Sequence, residues 1–280
     1  MPILPKRAYR ITVGNTILTE HAMSFSITKT DTKDPNTATI TIWNLSPETR
    51  KAFLPTKKGQ KVGLTLEAGY GDKLFLMFKG KISRVSTIKD GADWTSTIEV
   101  SDGAVENALR QAIHIAPGAK VEEVAEQIIK KMGLAPEASL LKQLVAKFQE
   151  GGGVKGLVSF VKGFSLSGFL MDDLTDLGKD LGLALSVQNE QVIAFEAKKG
   201  VNKIADIVVD LDHGLIGSPE IGDKGEVTCA MFLLPWVRPG DPVKVKSTWV
   251  TGRYRVKSLT QTGQNRQGEW KTSMTMEPIT

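Results

Sequence analysis

From Gly214 to Pro278 the chain is built of short alternating segments, punctuated by turn pairs such as Pro239-Gly240, Thr251-Gly252 and Gln267-Gly268. A period of two belongs to half-buried strands, and Gly and Pro at the breaks belong to tight turns. Segments of this length and spacing predict a small barrel whose product is a shape. No catalytic grouping interrupts them.

The first third is written the same way. Tyr9, Ile11 and Val13 share one face of a strand that stops at Gly14-Asn15. Met23 to Thr28 and Thr37 to Asn44 alternate likewise, with the turn Asp34-Pro35-Asn36 between them. Ser46 then caps a short helix with Pro47 in its first turn, running to Phe53. Strands resume at Lys61–Tyr70, Leu74–Val85 and Trp94–Val100. Five or more strands and one small helix predict a closed or nearly closed barrel, which leaves no edge open to aggregation.

Between these ends the period changes. Val105, Leu109 and Ile113 mark a first helix, and Lys120–Met132 a second, with Gly133 as its C-terminal cap and Pro136 beyond. Leu140–Phe148 makes a third. Gly151-Gly152-Gly153 is a flexible break. Ser167 is placed to cap a helix carrying Phe169, Leu170, Leu174, Leu177 and Leu181, ended by Gly182. A hairpin follows, Ala184–Val187 and Gln191–Phe195, turning at Gln188-Asn189-Glu190. The expected architecture is therefore α+β and mainly β. Two barrels, residues 1–104 and 204–280, flank a smaller α/β module at 105–203.

Of 280 residues 41% are apolar and 24% charged, as in ordinary folded domains. No apolar run reaches the roughly 20 residues of a membrane span, so no membrane anchor is expected. Met1 to Lys6 does not read as a secretory leader. The one cysteine, Cys229, reads as a buried thiol in a protein that matures in a reducing cytoplasm. The formal charge of +5 comes wholly from the residues up to Arg110, where 16 Lys and Arg face 11 Asp and Glu. Lys57, Lys58 and Lys61 are its densest cluster. Without interleaved aromatics they suit a solvated loop, or a docking face for an acidic protein, better than a nucleic-acid surface.

Reactive chemistry is sparse. His21, His114 and His213 lie far apart in sequence. Asp210, Asp212 and His213 are the nearest approach to a site, and read best as a solvated turn into Gly214. Asp172, Asp173 and Asp176 occupy the polar face of a helix. No phosphate loop or nucleophile elbow is present, and no metal or cofactor is expected. Trp43, Trp94, Trp236, Trp249 and Trp270 read as core or interface anchors. Leu233, Leu234 and Trp236, beside Pro235, are candidates for either a barrel core or a subunit interface.

Three stretches carry a resemblance: Ile40 to Arg50 with Ala68-Gly69-Tyr70-Gly71 and Phe78 to Ile82; Ser165 to Phe195; and Gly214-Leu215-Ile216-Gly217-Ser218-Pro219 to Pro278. In this order they resemble the baseplate hub proteins of contractile-tailed phages, the hubs of phage Mu and the T-even phages included. The resemblance implies two tail-tube-like barrels per chain and a homotrimer around a central channel. It also implies a tail spike on one rim, a tail tube or tube initiator on the other, contact with a tape measure protein, and DNA only in transit. The setting implied is the virion baseplate, assembled in the host cytoplasm, with no enzymatic role. Two other classes stay open: a glycan- or peptidoglycan-binding module using the middle unit, and a hydrolase using Asp210, Asp212 and His213.

Overall fold

The computed structural model describes residues 6–103, 113–115, 117–150, 164–166, 168–196 and 207–279. The first third holds β1 (Arg7–Val13), β2 (Thr16–Leu18), β3 (Met23–Thr30), β4 (Thr37–Trp43), α1 (Pro47–Lys51), β5 (Gly63–Tyr70), β6 (Lys73–Asp90) and β7 (Asp93–Ser101). The middle holds β8 (Ile113–Ile115), α2 (Val121–Lys131), β9 (Ala135–Pro136), α3 (Leu140–Glu150), β10 (Phe164–Leu166), α4 (Leu170–Asp180), β11 (Leu183–Gln188) and β12 (Gln191–Glu196). The last third holds β13 (Ile207–Val209), β14 (Leu215–Ile221), β15 (Val227–Phe232), β16 (Pro242–Lys246), β17 (Thr251–Gln264) and β18 (Trp270–Pro278). The class is α+β and mainly β.

Two separate barrels are not what these strands make. Thirteen strands from both ends of the chain form one sheet, ordered β14-β15-β18-β17-β3-β4-β7-β6-β5-β1-β2, with β16 and β13 added beside β17. The path does not close on itself among the described residues. The reason lies in β17. One edge runs beside β18 from Tyr254 to Gly263. The other edge is shared, Thr251–Arg255 pairing β16 and Ser258–Gln264 pairing β3. The register shift at Val256/Ser258 leaves Lys257 as the extra residue where the partner changes. Its carbonyl accepts the Asp31 backbone N–H at 2.9 Å. An edge that could have closed either barrel is thus spent on the other half of the chain.

Alternation decides what the sheet buries. In β3 the side chains of Met23, Phe25 and Ile27 are buried while those between them face outward, and β4, β7 and β18 repeat the pattern. Three apolar cores result. The first spans Tyr9 to Val100 and recruits Leu233 and Trp270 from the last third. The second packs α2, α3 and α4 against β11 and β12. The third fills the C-terminal strands and contains the buried thiol of Cys229, pushed up to about 12 by desolvation.

Local expectations mostly hold within a residue or two. Ser46 caps α1, its hydroxyl accepting the Thr49 N–H at 3.2 Å, although the helix is shorter than predicted. Gly133 closes the turn after α2 at φ 74°, and Asn189 and Glu190 turn the β11–β12 hairpin at φ 55° and 63°. Thr251-Gly252, expected as a turn, opens β17 instead. Ile113, expected in a helix, begins β8, while Val105, Leu109, Gly151-Gly152-Gly153 and Ser167 lie outside the described residues. Phe169 occupies the cap position of α4 without a side-chain cap bond. No helix among the described residues is long and apolar enough to cross a membrane.

Candidate functional site

The β3–β17 crossing decides where the expected interface residues go. Gly263 of β17 stands in register between Phe25 of β3 and Trp270 of β18. The two rings meet edge to face, 5.3 Å between centroids. A Cβ on Gly263 would lie 2.6 Å from both rings, so only glycine fits. Just beyond, Leu233 is 1% exposed and joins the first core, while Leu234 is 9% exposed and joins the third. Their backbones are fixed from both sides. Leu233 N–H donates to Trp270 O at 2.9 Å and its carbonyl accepts from Tyr70 Oη at 3.2 Å. Leu234 N–H donates to Thr272 Oγ1 at 2.9 Å and its carbonyl accepts from Gln261 Nε2 at 2.8 Å. Leu233 therefore pegs the two halves of one chain together, while Leu234 is held within the last third.

Trp236 is different. It is 45% exposed and lies 5.1 Å from the ring of the exposed Phe75. This apolar patch spans the first and last thirds. Lys57, Lys58 and Lys61 are all exposed, in the loop after α1. Gln60 Oε1 shapes that loop by accepting from Thr56 N–H, Thr56 Oγ1 and Lys57 N–H at 3.0, 2.7 and 3.2 Å. The three lysines leave the sheet on a held turn.

A polar junction that sequence reasoning missed ties the middle module to both ends. Arg255 is 7% exposed, paired with Asp31 and with Glu277 at 2.8 Å, and its guanidinium lies 5.2 Å from the centre of the Phe195 ring. One cation thus joins β17 to the end of β3, to β18 and to β12. Nearby, Asn36 N–H and Nδ2 donate to the two oxygens of Asp102 at 2.9 and 2.8 Å, and Nδ2 also to Val187 O at 2.7 Å. The turn residue Asn189 donates its N–H to Asp102 at 2.9 Å and accepts from Lys79 N–H at 3.2 Å. Lys29 Nζ donates to Asn189 Oδ1 at 3.4 Å. Burial pushes Lys29 down to about 8 and Asp102 up to about 6. Arg238 links the last third to the middle through Glu137 at 2.9 Å. The signal available in the sequence was Lys29 itself, a cation on the buried parity of an alternating strand.

The carboxylate groupings have structural partners. Asp210 Oδ1 accepts from His213 N–H at 2.8 Å and lies 2.5 Å from His213 Nδ1, which holds the Asp210 carboxyl below its usual range. The pair closes the turn into Gly214. Asp210, with Asp212, Lys244, Lys246 and the 80% exposed Trp249, borders an open cleft of about 660 Å³. Asp172 reaches Lys33 at 2.5 Å and Asp176 reaches Lys179 at 3.1 Å. Among the described residues no group of three or more His, Cys, Asp or Glu could hold a metal ion.

The fold is shared with known tail proteins. A 43 kDa tail protein of prophage MuSo2 from Shewanella oneidensis matches with a TM-score of 0.63 at 8% identity, over 98% of each chain. A tail protein from Neisseria meningitidis MC58 matches with 0.62 at 10% identity, over 97% of this chain and 96% of that one. The E. coli c3393 protein, a type VI secretion component similar to T4 tail proteins gp27 and gp5, matches with 0.58 at 11% identity, over 96% of this chain and 77% of that one. No curated protein matches the chain. The family model described as Baseplate hub gp41 covers residues 9–270, so the chain belongs to the baseplate hub gp41 family of phage tail proteins.

Proposed function

We propose that this protein is the central hub of a phage or phage-like contractile baseplate, working as a homotrimer. Three chains would set six tube-like halves around a channel, with a trimeric spike on one rim and the tail tube or its initiator on the other. The observation that carries this reading is the seven-residue β3–β17 ladder, which makes the two halves of each chain one sheet. Halves joined in this way keep a fixed mutual angle, and a ring of repeated units closes only at a fixed angle. The polar junction around Arg255 and Asp102 adds a second restraint, locking the middle module onto both halves.

The role needs no reactive centre and no cofactor, so we assign the protein a structural, non-enzymatic part in the virion, assembled in the host cytoplasm. The tape measure protein and DNA would meet it only along the channel. The exposed Trp236–Phe75 patch and the Lys57, Lys58 and Lys61 loop are the docking surfaces we assign to neighbours, the lysines to an acidic one. Sedimentation of the purified protein with its spike tests this. Three copies, gaining mass on adding spike, are expected. A persistent monomer that ignores the spike would overturn the reading.

A further inference from the structure

The open cleft beside the Asp210–His213 turn, about 660 Å³, falls within the range of sites that hold small ligands. Its lining is set by strand register. β16 buries Val243 and Val245 and turns Lys244 and Lys246 outward. Lys246 pairs with Thr251 of β17. Asp210 follows the parallel Val209–Val245 pair by one residue, which sets it beside Lys246. Asp210, Lys246 and Thr251 thus form one polar row, about 10 Å across at the usual strand spacing. Leu211 and Asp212 of the next turn, and Ser218 from the irregular part of β14, line the same cleft.

Trp249 and Leu211, 80% and 75% exposed, are the two most exposed large apolar side chains among the described residues, and both border this cleft. Trp249 sits in the turn from β16 to β17, and that turn is held. Ser247 N–H donates to Val250 O at 2.9 Å, and Val250 N–H donates to Ser247 Oγ at 3.0 Å. An indole kept in water on a fixed turn is ordered before any ligand arrives, so little freedom is lost on binding.

The polar lining narrows what can lie there. Two lysines and two aspartates offset one another, so an anion would meet Asp210 and Asp212, and a cation Lys244 and Lys246. Asp210 stays an acceptor, because its hydrogen bond with His213 holds the carboxyl below the usual range. The hydroxyls of Ser218, Ser247 and Thr251 add groups that both donate and accept. A neutral ligand rich in hydroxyls satisfies both signs without burying a charge of its own. A sugar ring also has an apolar C–H face, which matches the flat face of a lone indole. An apolar peptide would cover these charges without pairing them.

We propose that this cleft binds a neutral oligosaccharide, one ring stacked on Trp249 and its hydroxyls bonded to Asp210, Asp212, Lys244 and Lys246. The site acts by binding alone. It goes beyond the hub reading and does not rest on it, since ring assembly and sugar binding can each fail without the other.

Calorimetric titration of the purified full-length protein with chitotetraose and with maltotetraose tests this. The first stands for an amino-sugar glycan and the second for a plain hexose polymer, so the two arms separate the sources. Saturable binding of at least one is expected, and it should not change from low to high salt, because the ligand carries no charge. Trp249→Ala should weaken that binding at least tenfold, with the melting temperature and oligomer mass of wild type. Trp249→Phe, which keeps a flat ring, should retain most of the affinity. Failure of wild type to bind either sugar overturns the proposal, as does binding that Trp249→Ala leaves intact. A lower oligomer mass or lost spike capture in Trp249→Ala, with no sugar bound by wild type, would overturn it in favour of a protein contact. Sedimentation of the wild type decides the hub reading separately.

Discussion

Arg255 and Lys29 show how single residues hold three parts of a chain in one arrangement. Arg255 is a buried cation with two carboxylates and an aromatic ring around it, so its removal strands Asp31 and leaves Glu277 to Lys257 alone. Arg255→Ala should cost about 3–5 kcal/mol in urea unfolding, well above a surface ion pair, and a loss below about 1 kcal/mol would mean the cluster is solvated. Lys29 makes a pH prediction. Its folded pKa near 8 lies below the usual 10.5, so between those values the unfolded chain binds the proton and the folded chain does not. Stability from this group therefore rises as pH goes from about 8 to 10.5, by about 3 kcal/mol at full extent. Asp102, raised to about 6, acts the other way, its contribution falling as pH rises from 3.8 to 6. The difference in unfolding free energy between wild type and Lys29→Met should grow across pH 8–10 in favour of wild type. A flat difference would place Lys29 in water.

At the scale of elements, β17 is the strand on which the architecture turns. Every residue from Ser258 to Gly263 has a partner on both sides, so a proline there removes a ladder bond that nothing replaces. Thr260→Pro should lose 3 kcal/mol or more and separate the two thermal transitions of the chain ends. Gly263→Ala, forced against Phe25 and Trp270, should cost about 1–3 kcal/mol by overpacking. A Gly263→Ala melt equal to wild type would mean the rings part easily. Strands, helices and the two-residue turn at Asn189-Glu190 were legible because each is set by local alternation, helical period or turn chemistry. The union of the two halves was not. Thr251-Gly252 reads as a break, yet it lies inside β17, because a glycine within a strand and a glycine at a turn look alike in one dimension. The fate of Leu233 followed from that union, since only a shared sheet brings Tyr70 and Trp270 to its two backbone groups. The Asn36–Asp102–Asn189 contacts link residues up to 153 apart, beyond the reach of any local pattern.

For the whole molecule, the proposed function makes the sheet shared by both ends of the chain into one third of a ring. The lysine loop carries a separate expectation. Replacing Lys57, Lys58 and Lys61 by Glu should leave the melting temperature within a few degrees, because all three are exposed, yet weaken capture of the acidic neighbour at least tenfold and abolish its salt dependence. Undiminished capture would move the docking site to another surface. The most direct measurement is an image of the purified particle, with its mass, in solution. Three copies closed about a threefold axis, with a central hole and six similar lobes, is the result this account predicts. A single copy, or an assembly without a central opening, would contradict it.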